Sequence, residues 1–127
     1  MAGFRGEKKS NGSDQGIVME HLFSYGTLQS EKVQLEIFGR TLQGYPDVVR
    51  GYKKETIKIS VNLSGIEDHV IISYTGNDSD IVEGIVLLLT ADELLHADVY
   101  ETEDYKRVKV TLQSGKRAWV YVKNENG

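Results

Sequence analysis

Apolar and polar residues alternate strictly over residues 56–61, Thr-Ile-Lys-Ile-Ser-Val. Successive side chains of a strand point to opposite faces, so this segment predicts a strand with one face buried. Residues 70–74 predict a second strand, and residues 21–25 a short one broken by Gly26-Thr27. Residues 81–89 read Ile-Val-Glu-Gly-Ile-Val-Leu-Leu-Leu and are apolar almost throughout. A strand of that kind is expected at a sheet centre, covered on both faces. Residues 105–112 alternate again, Gln113-Ser114-Gly115 supplies a turn, and residues 118–122 return, which predicts a closing hairpin.

Two helices interrupt the strands. Residues 30–39 place Val33, Ile37 and Phe38 at helical spacing as a core-facing stripe, with Ser30 as N-cap. Thr90 and Glu93 have capping-box spacing ahead of Leu94 and Leu95. Between the helices, residues 39–52 contain Gly39, Gly44, Pro46 and Gly51 and read as loop. Residues 1–18 are rich in Gly, Ser, Lys and Asn, with little to bury, and are expected to form a flexible tail. Residues 19–127 then make one β-rich α+β domain, its second helix inserted before the final hairpin.

Composition narrows the function classes. The 15 basic and 19 acidic residues leave a formal charge of −4 without a basic run, which argues against a nucleic-acid binder. With no cysteine, the chain has no disulfide, thiolate metal site or cysteine nucleophile. His21, His69 and His96 lack ligand-type spacing, so no metal is expected. No segment approaches the ~20 apolar residues of a membrane span. Arg5, Lys8 and Lys9 are not followed by the apolar run of a secretory signal, so the default expectation is the cytoplasm.

Two segments carry the candidate chemistry. Phe23-Ser24-Tyr25-Gly26-Thr27-Leu28 is a strand ending in a glycine turn. Asp98-Val99-Tyr100-Glu101 follows the second helix and leads into Tyr105-Lys106-Arg107-Val108. This ordered pair resembles the γ-glutamylcyclotransferase-like family, including its AIG2-like branch. There a YGTL or YGSL loop precedes a D-x-x-E segment and then Y-x-R. Val82-Glu83-Gly84-Ile85-Val86 is also similar to that family's strand before the helix, and the resemblance covers about residues 20–123. It implies an α+β fold, a small mixed β-barrel-like sheet with two short helices. It also implies a cyclotransferase that converts a γ-glutamyl amine or γ-glutamyl amino acid to 5-oxoproline and free amine, with no cofactor. The implied partner is a small γ-glutamyl molecule, not nucleic acid or membrane.

Such a reaction asks little of an enzyme's covalent chemistry. A γ-glutamyl compound carries its own nucleophile, the α-amine, and attack on the γ-carbonyl closes a five-membered lactam. The protein must fold the substrate onto itself and move protons. Orientation of an intramolecular reaction is worth roughly 7–11 kcal/mol, and a positioned acid/base about 10²–10⁴ in rate. The resemblance assigns the acid/base to Glu101 and substrate binding to Tyr25, Gly26, Thr27 and Leu28. Successive N–H groups of that loop suit a carboxylate.

Read without the resemblance, Glu101 is a solvated glutamate past a helix end, and the glycine turn is an ordinary connection. Asp98 lies one turn before Glu101 and is expected to orient the helix end. Tyr105 and Tyr121 are candidate pocket walls, and Tyr121 reads equally as a half-buried strand tyrosine. Arg107 holds a carboxylate or lies on the surface. Trp119 reads as hairpin packing. The alternative function is a non-catalytic module of the same fold that binds a small carboxylate.

Overall fold

The computed structural model describes residues 19–61 and 65–125; the expected tail, residues 1–18, lies outside them. The elements in chain order are β1 (Glu20–Ser24), a 3-10 turn (Thr27–Gln29), α1 (Glu31–Phe38), β2 (Gly44–Arg50), β3 (Tyr52–Val61), β4 (Gly65–Tyr74), β5 (Ile81–Leu89), α2 (Ala91–Tyr100), β6 (Tyr105–Thr111) and β7 (Arg117–Lys123). Five strands form a sheet in the order β2-β5-β1-β7-β6, and β3 pairs with β4 as a separate hairpin. β1 and β7 are parallel, while every other described pair is antiparallel. The α+β expectation of a mixed sheet with two helices holds.

β1 is buried on both faces, which two adjacent residues make plain. Phe23 joins Val49, Ile72, Val82, Val86 and Val120 in a core under the β3–β4 hairpin. Leu22 joins Leu28, Leu87, Leu89, Leu94 and Ala97 in a second core under the helices. β5 feeds both cores, which explains its nearly continuous apolar run. Its first half still alternates, with Ile81 and Glu83 exposed. Fully burying one such side chain contributes about 1.5–3 kcal/mol.

Residues 39–52 correct the sequence reading. Gly44–Arg50 is a strand, paired along its length with β5. The loop expectation rested on glycine and proline, but β2 is the sheet's outer strand. There Pro46 can direct its missing N–H away from the ladder without loss. Gly44 lies so close to β5 that a Cβ would come within 2.7 Å of the Ile85 side chain and the Val86 carbonyl. The sheet also curls. The β6–β7 turn reaches β2, where Gln113 N–H donates to Val48 O at 2.8 Å and Ser114 Oγ donates to Asp47 Oδ2 at 2.6 Å.

Both helix starts form as expected. The Ser30 side chain accepts from Val33 N–H, and Thr90 and Glu93 make the full capping box. Val33, Ile37 and Phe38 pack partly buried against the second core. α1 also carries Gln34, which is 3% exposed. Its amide donates to Leu28 O and accepts from Leu42 N–H, both at 2.8 Å. A hydrophobic stripe gives no hint of that polar brace.

Candidate active site

β1 delivers the Tyr25–Leu28 loop at its C-terminal end, and local bonds fix the loop's shape. Gln29 Nε2 donates to Ser24 O at 2.7 Å, and Gln34 holds Leu28 O. The 3-10 turn is closed by Gln29 N–H on Gly26 O and Ser30 N–H on Thr27 O. The carbonyls are thus engaged from within. The Gly26 N–H meets Ser24 Oγ at 3.4 Å; the first N–H groups of the turn that follows have no partner inside it and receive no side-chain cap from the Gly26 position. Gly26 has φ −143° and ψ −140°, outside the left-handed region. A Cβ there would meet nothing within 4 Å. Open space therefore lies beside the loop at this position.

α2 delivers the carboxylates. Glu101 caps its C-terminus, with its N–H on Ala97 O. A cavity of about 30 Å³ is lined by Tyr25, Gly26, Thr27, Leu28, Glu101 and Tyr121, with Phe23 and Ser24 behind them. It shares Glu101 and Tyr121 with a second cavity of about 310 Å³, lined also by Asp98, Thr102, Tyr105, Arg107 and Trp119. All nine site residues named from the sequence border one or both cavities. Thr102 and Trp119 were missed. Trp119 was legible in one way, because it stands two residues from Tyr121 on β7 and so shares its face.

Asp98 and Glu101 occupy opposite environments. Arg107 grips Asp98 with two bonds, Nε to Oδ1 at 2.7 Å and Nη2 to Oδ2 at 2.9 Å. Tyr121 OH donates to the same Oδ1 at 2.7 Å. Burial alone would raise the Asp98 carboxyl, but these bonds and the guanidinium charge hold it below the ordinary range. Tyr121 is 6% exposed, buried rather than half-buried, and Arg107 holds a carboxylate. Glu101 is pushed up to about 7, first by burial and then by the Asp98 charge, with no hydrogen bond among the causes. A carboxyl of that kind exchanges its proton near neutrality.

Phenols complete the walls. Tyr25 OH donates to Tyr121 O at 2.6 Å and ties the loop to β7. Its hydroxyl is raised by burial, by Tyr105 and by Glu101. Tyr105 OH donates to Val70 O at 2.9 Å, and burial followed by the Glu101 charge pushes it up to about 12. Thr27 Oγ1 and Tyr100 OH lie 3.0 Å apart and join the loop to the end of α2.

A larger cavity, about 570 Å³, opens beside β2, β5 and the β6–β7 turn. Size favours it as a binding site, but its chemistry does not. Of its two carboxylates, Asp47 is spent on Ser114 and on Val48 N–H, and Glu83 is an exposed side chain of β5. Among the described residues no His, Asp and Glu cluster is arranged to hold a metal ion, and no helix is long and apolar enough to cross a membrane.

The family model for gamma-glutamyl cyclotransferase, AIG2-like, matches residues 22–127. A solution structure from Arabidopsis thaliana is 26% identical over 84% of this chain, with a TM-score of 0.61; the chain spans 62% of that protein's length. A structure described as gamma-glutamyl cyclotransferase is 17% identical, covers 84% of this chain and 68% of its own, and has a TM-score of 0.65. A yeast protein, described as a gamma-glutamyl cyclotransferase specific to glutathione, is 12% identical over 83% of this chain and 69% of its own, with a TM-score of 0.64. The last two are similar in fold alone. No curated protein sequence matches the chain.

Proposed function

We propose that this chain, which belongs to the gamma-glutamyl cyclotransferase, AIG2-like family, converts a γ-glutamyl amine or γ-glutamyl amino acid to 5-oxoproline and a free amine, with Glu101 as general acid/base. The observation that carries the reading is the partly buried Glu101 carboxyl, facing the same small cavity as the Tyr25–Leu28 loop and raised to about 7.

The steps follow from that pairing. The substrate α-carboxylate lies against the loop N–H groups, an anion site that needs no basic side chain. Tyr25, Tyr105 and Tyr121 wall the γ-glutamyl chain into a bent form. The Glu101 carboxylate takes a proton from the α-amine as its nitrogen bonds to the γ-carbonyl carbon. The protonated Glu101 then gives that proton to the departing nitrogen as the old C–N bond breaks. Lactam and amine leave, and Glu101 is ionised again. Asp98, already ionised and held by Arg107 and Tyr121, disfavours a second negative charge at Glu101 and so keeps its proton affinity high.

The test is incubation with a panel of γ-glutamyl amides and γ-glutamyl amino acids, followed by mass spectrometry for 5-oxoproline. Release from at least one member is expected, with kcat/KM rising as pH passes about 7 and Glu101 ionises. Binding of panel members without any release would instead identify a module that keeps the pocket and lacks the reaction.

A further inference from the structure

We propose that Trp119 is a positioning residue for this reaction: its indole seats the Arg107 guanidinium, which in turn fixes Asp98 beside Glu101. Its kinetic consequence rests on the cyclotransferase reading above; the seating rests on geometry.

Arg107 Cζ lies 4.3 Å from the centroid of the Trp119 ring. The Arg107 side chain is 21% exposed, and a cation partly withdrawn from water is held more strongly by a ring face than a fully exposed one. The ring is itself anchored. Its Nε1–H donates to Glu20 Oε1 at 3.1 Å, and its backbone pairs with Leu22 of β1. Glu20, Trp119, Arg107 and Asp98 therefore form one chain of contacts from the start of β1 to the end of α2. An arginine fork presents its donors in a fixed plane, so the seat of the guanidinium decides where the carboxylate it grips must sit. Lys109 Nζ also lies over the ring, at 4.6 Å, but an ammonium cannot reproduce the bidentate grip.

The consequence falls on Glu101. The groups that interact with it come from four elements: Asp98 on α2, Tyr25 on the loop, Tyr105 on β6 and Tyr121 on β7. The three phenols are neutral near pH 7, so Asp98 is the charged one among them. Asp98 also receives the Tyr121 hydroxyl, and Tyr121 receives Tyr25. Loosening Arg107 therefore frees the charge beside Glu101, while the tie to the loop, made to the Tyr121 main-chain carbonyl, stays in place.

The experiment is a double-mutant cycle on the full chain, read by 5-oxoproline release. Trp119→Leu should lower kcat about fivefold, the size of one lost cation–ring contact. Its KM should stay within about twofold, because the loop is untouched, and Trp119→Phe, which keeps a ring face, should restore most of kcat. In an Asp98→Asn background, Trp119→Leu should cost less than about twofold, since residues acting through one chain are not additive. Equal losses in both backgrounds would overturn the proposal. The second readout needs no substrate: the Arg107 Nε–H signal of ¹⁵N-labelled protein. It should be protected from exchange in wild type and Trp119→Phe, and exposed in Trp119→Leu. A signal unmoved by Trp119→Leu would also overturn the proposal. If the wild type releases no 5-oxoproline at all, the functional reading falls with the kinetic role. An Arg107 signal that moves only in Trp119→Leu still upholds the seating.

Discussion

Asp47 and Glu101 each stand at a cavity, and the two cavities invite opposite conclusions. The Asp47 cavity is far larger, about 570 Å³ against about 30 Å³. Burial would raise the Asp47 carboxyl, but Ser114 Oγ, the N–H groups of Val48 and Ser114, and the Lys116 charge draw it below the ordinary range. Its oxygens are tied into the clasp that closes the curled sheet. Glu101 is drawn further out of water, receives no such bonds and is raised instead. Room for a ligand and readiness to move a proton are different properties. The smaller cavity has the second, and beside it the 310 Å³ chamber offers the first.

The comparison breaks most sharply under two matched substitutions. Glu101→Gln keeps the shape but removes the exchangeable proton, and turnover should fall by about 10² or more while substrate binding survives. Asp47→Asn should leave turnover within about twofold and instead destabilise the fold by about 1–2 kcal/mol, as its charged bonds weaken. Steady-state 5-oxoproline release and thermal melts decide both. Wild-type turnover in Glu101→Gln would remove it as the acid/base, and lost turnover with intact stability in Asp47→Asn would relocate the chemistry to the larger cavity.

The pH dependence of stability separates the same pair. The folded pKa of Glu101 lies above its unfolded value, so its contribution is fully present below about 4.3 and is lost as pH rises through about 7. Glu101→Gln should therefore gain on wild type across that window, by at most about 1.4 kcal/mol per pH unit. Asp47 is depressed, so its contribution is present above the ordinary aspartate range and is lost as pH falls through the folded value. Asp47→Asn should then be destabilised at neutral pH and nearly equal to wild type in strong acid. Denaturant melts between pH 3 and pH 8 test both; two parallel stability profiles would show that the environments do not differ.

Smaller effects sharpen the picture further. Tyr121→Phe removes one bond to Asp98 and should cost about 1 kcal/mol of stability, with turnover reduced but less than in Glu101→Gln. Arg40→Ala breaks an ion pair with Glu93 whose arginine side chain is 45% exposed. It should change stability by no more than about 1 kcal/mol and leave kcat alone. A kcat loss in Arg40→Ala would mean that the start of α2 controls its end.

Much of this was legible in the chain. The two segments flanking the small cavity, the caps of both helices, β5 and the final hairpin each have a local signal, because side-chain period and capping chemistry act within a few residues. The features that escaped were non-local. Pro46 and Gly44 read as loop until β5 lies beside them, since an edge strand and a loop tolerate the same residues. Gln34 looks like a surface glutamine until Leu28 and Leu42 bring their backbone groups to it. Trp119 looks like packing until β1 contributes Glu20. Asp98 has one ordinary reading in sequence; its grip by β6 and β7 appears only in three dimensions.

The place of β1 also bears on how the molecule assembles. It sits between β5 and β7, and the bond from Tyr25 to Tyr121 spans 96 residues. Pairings so remote in sequence must close a long loop before they return any stabilisation, which slows folding. During synthesis β1 can meet β5 well before β7 has emerged, leaving one of its edges unpaired and able to recruit another chain. The loop and Glu101 acquire their shared wall, to which Tyr121 of β7 belongs, only when the final hairpin docks, so the candidate site is among the last parts of the domain expected to form.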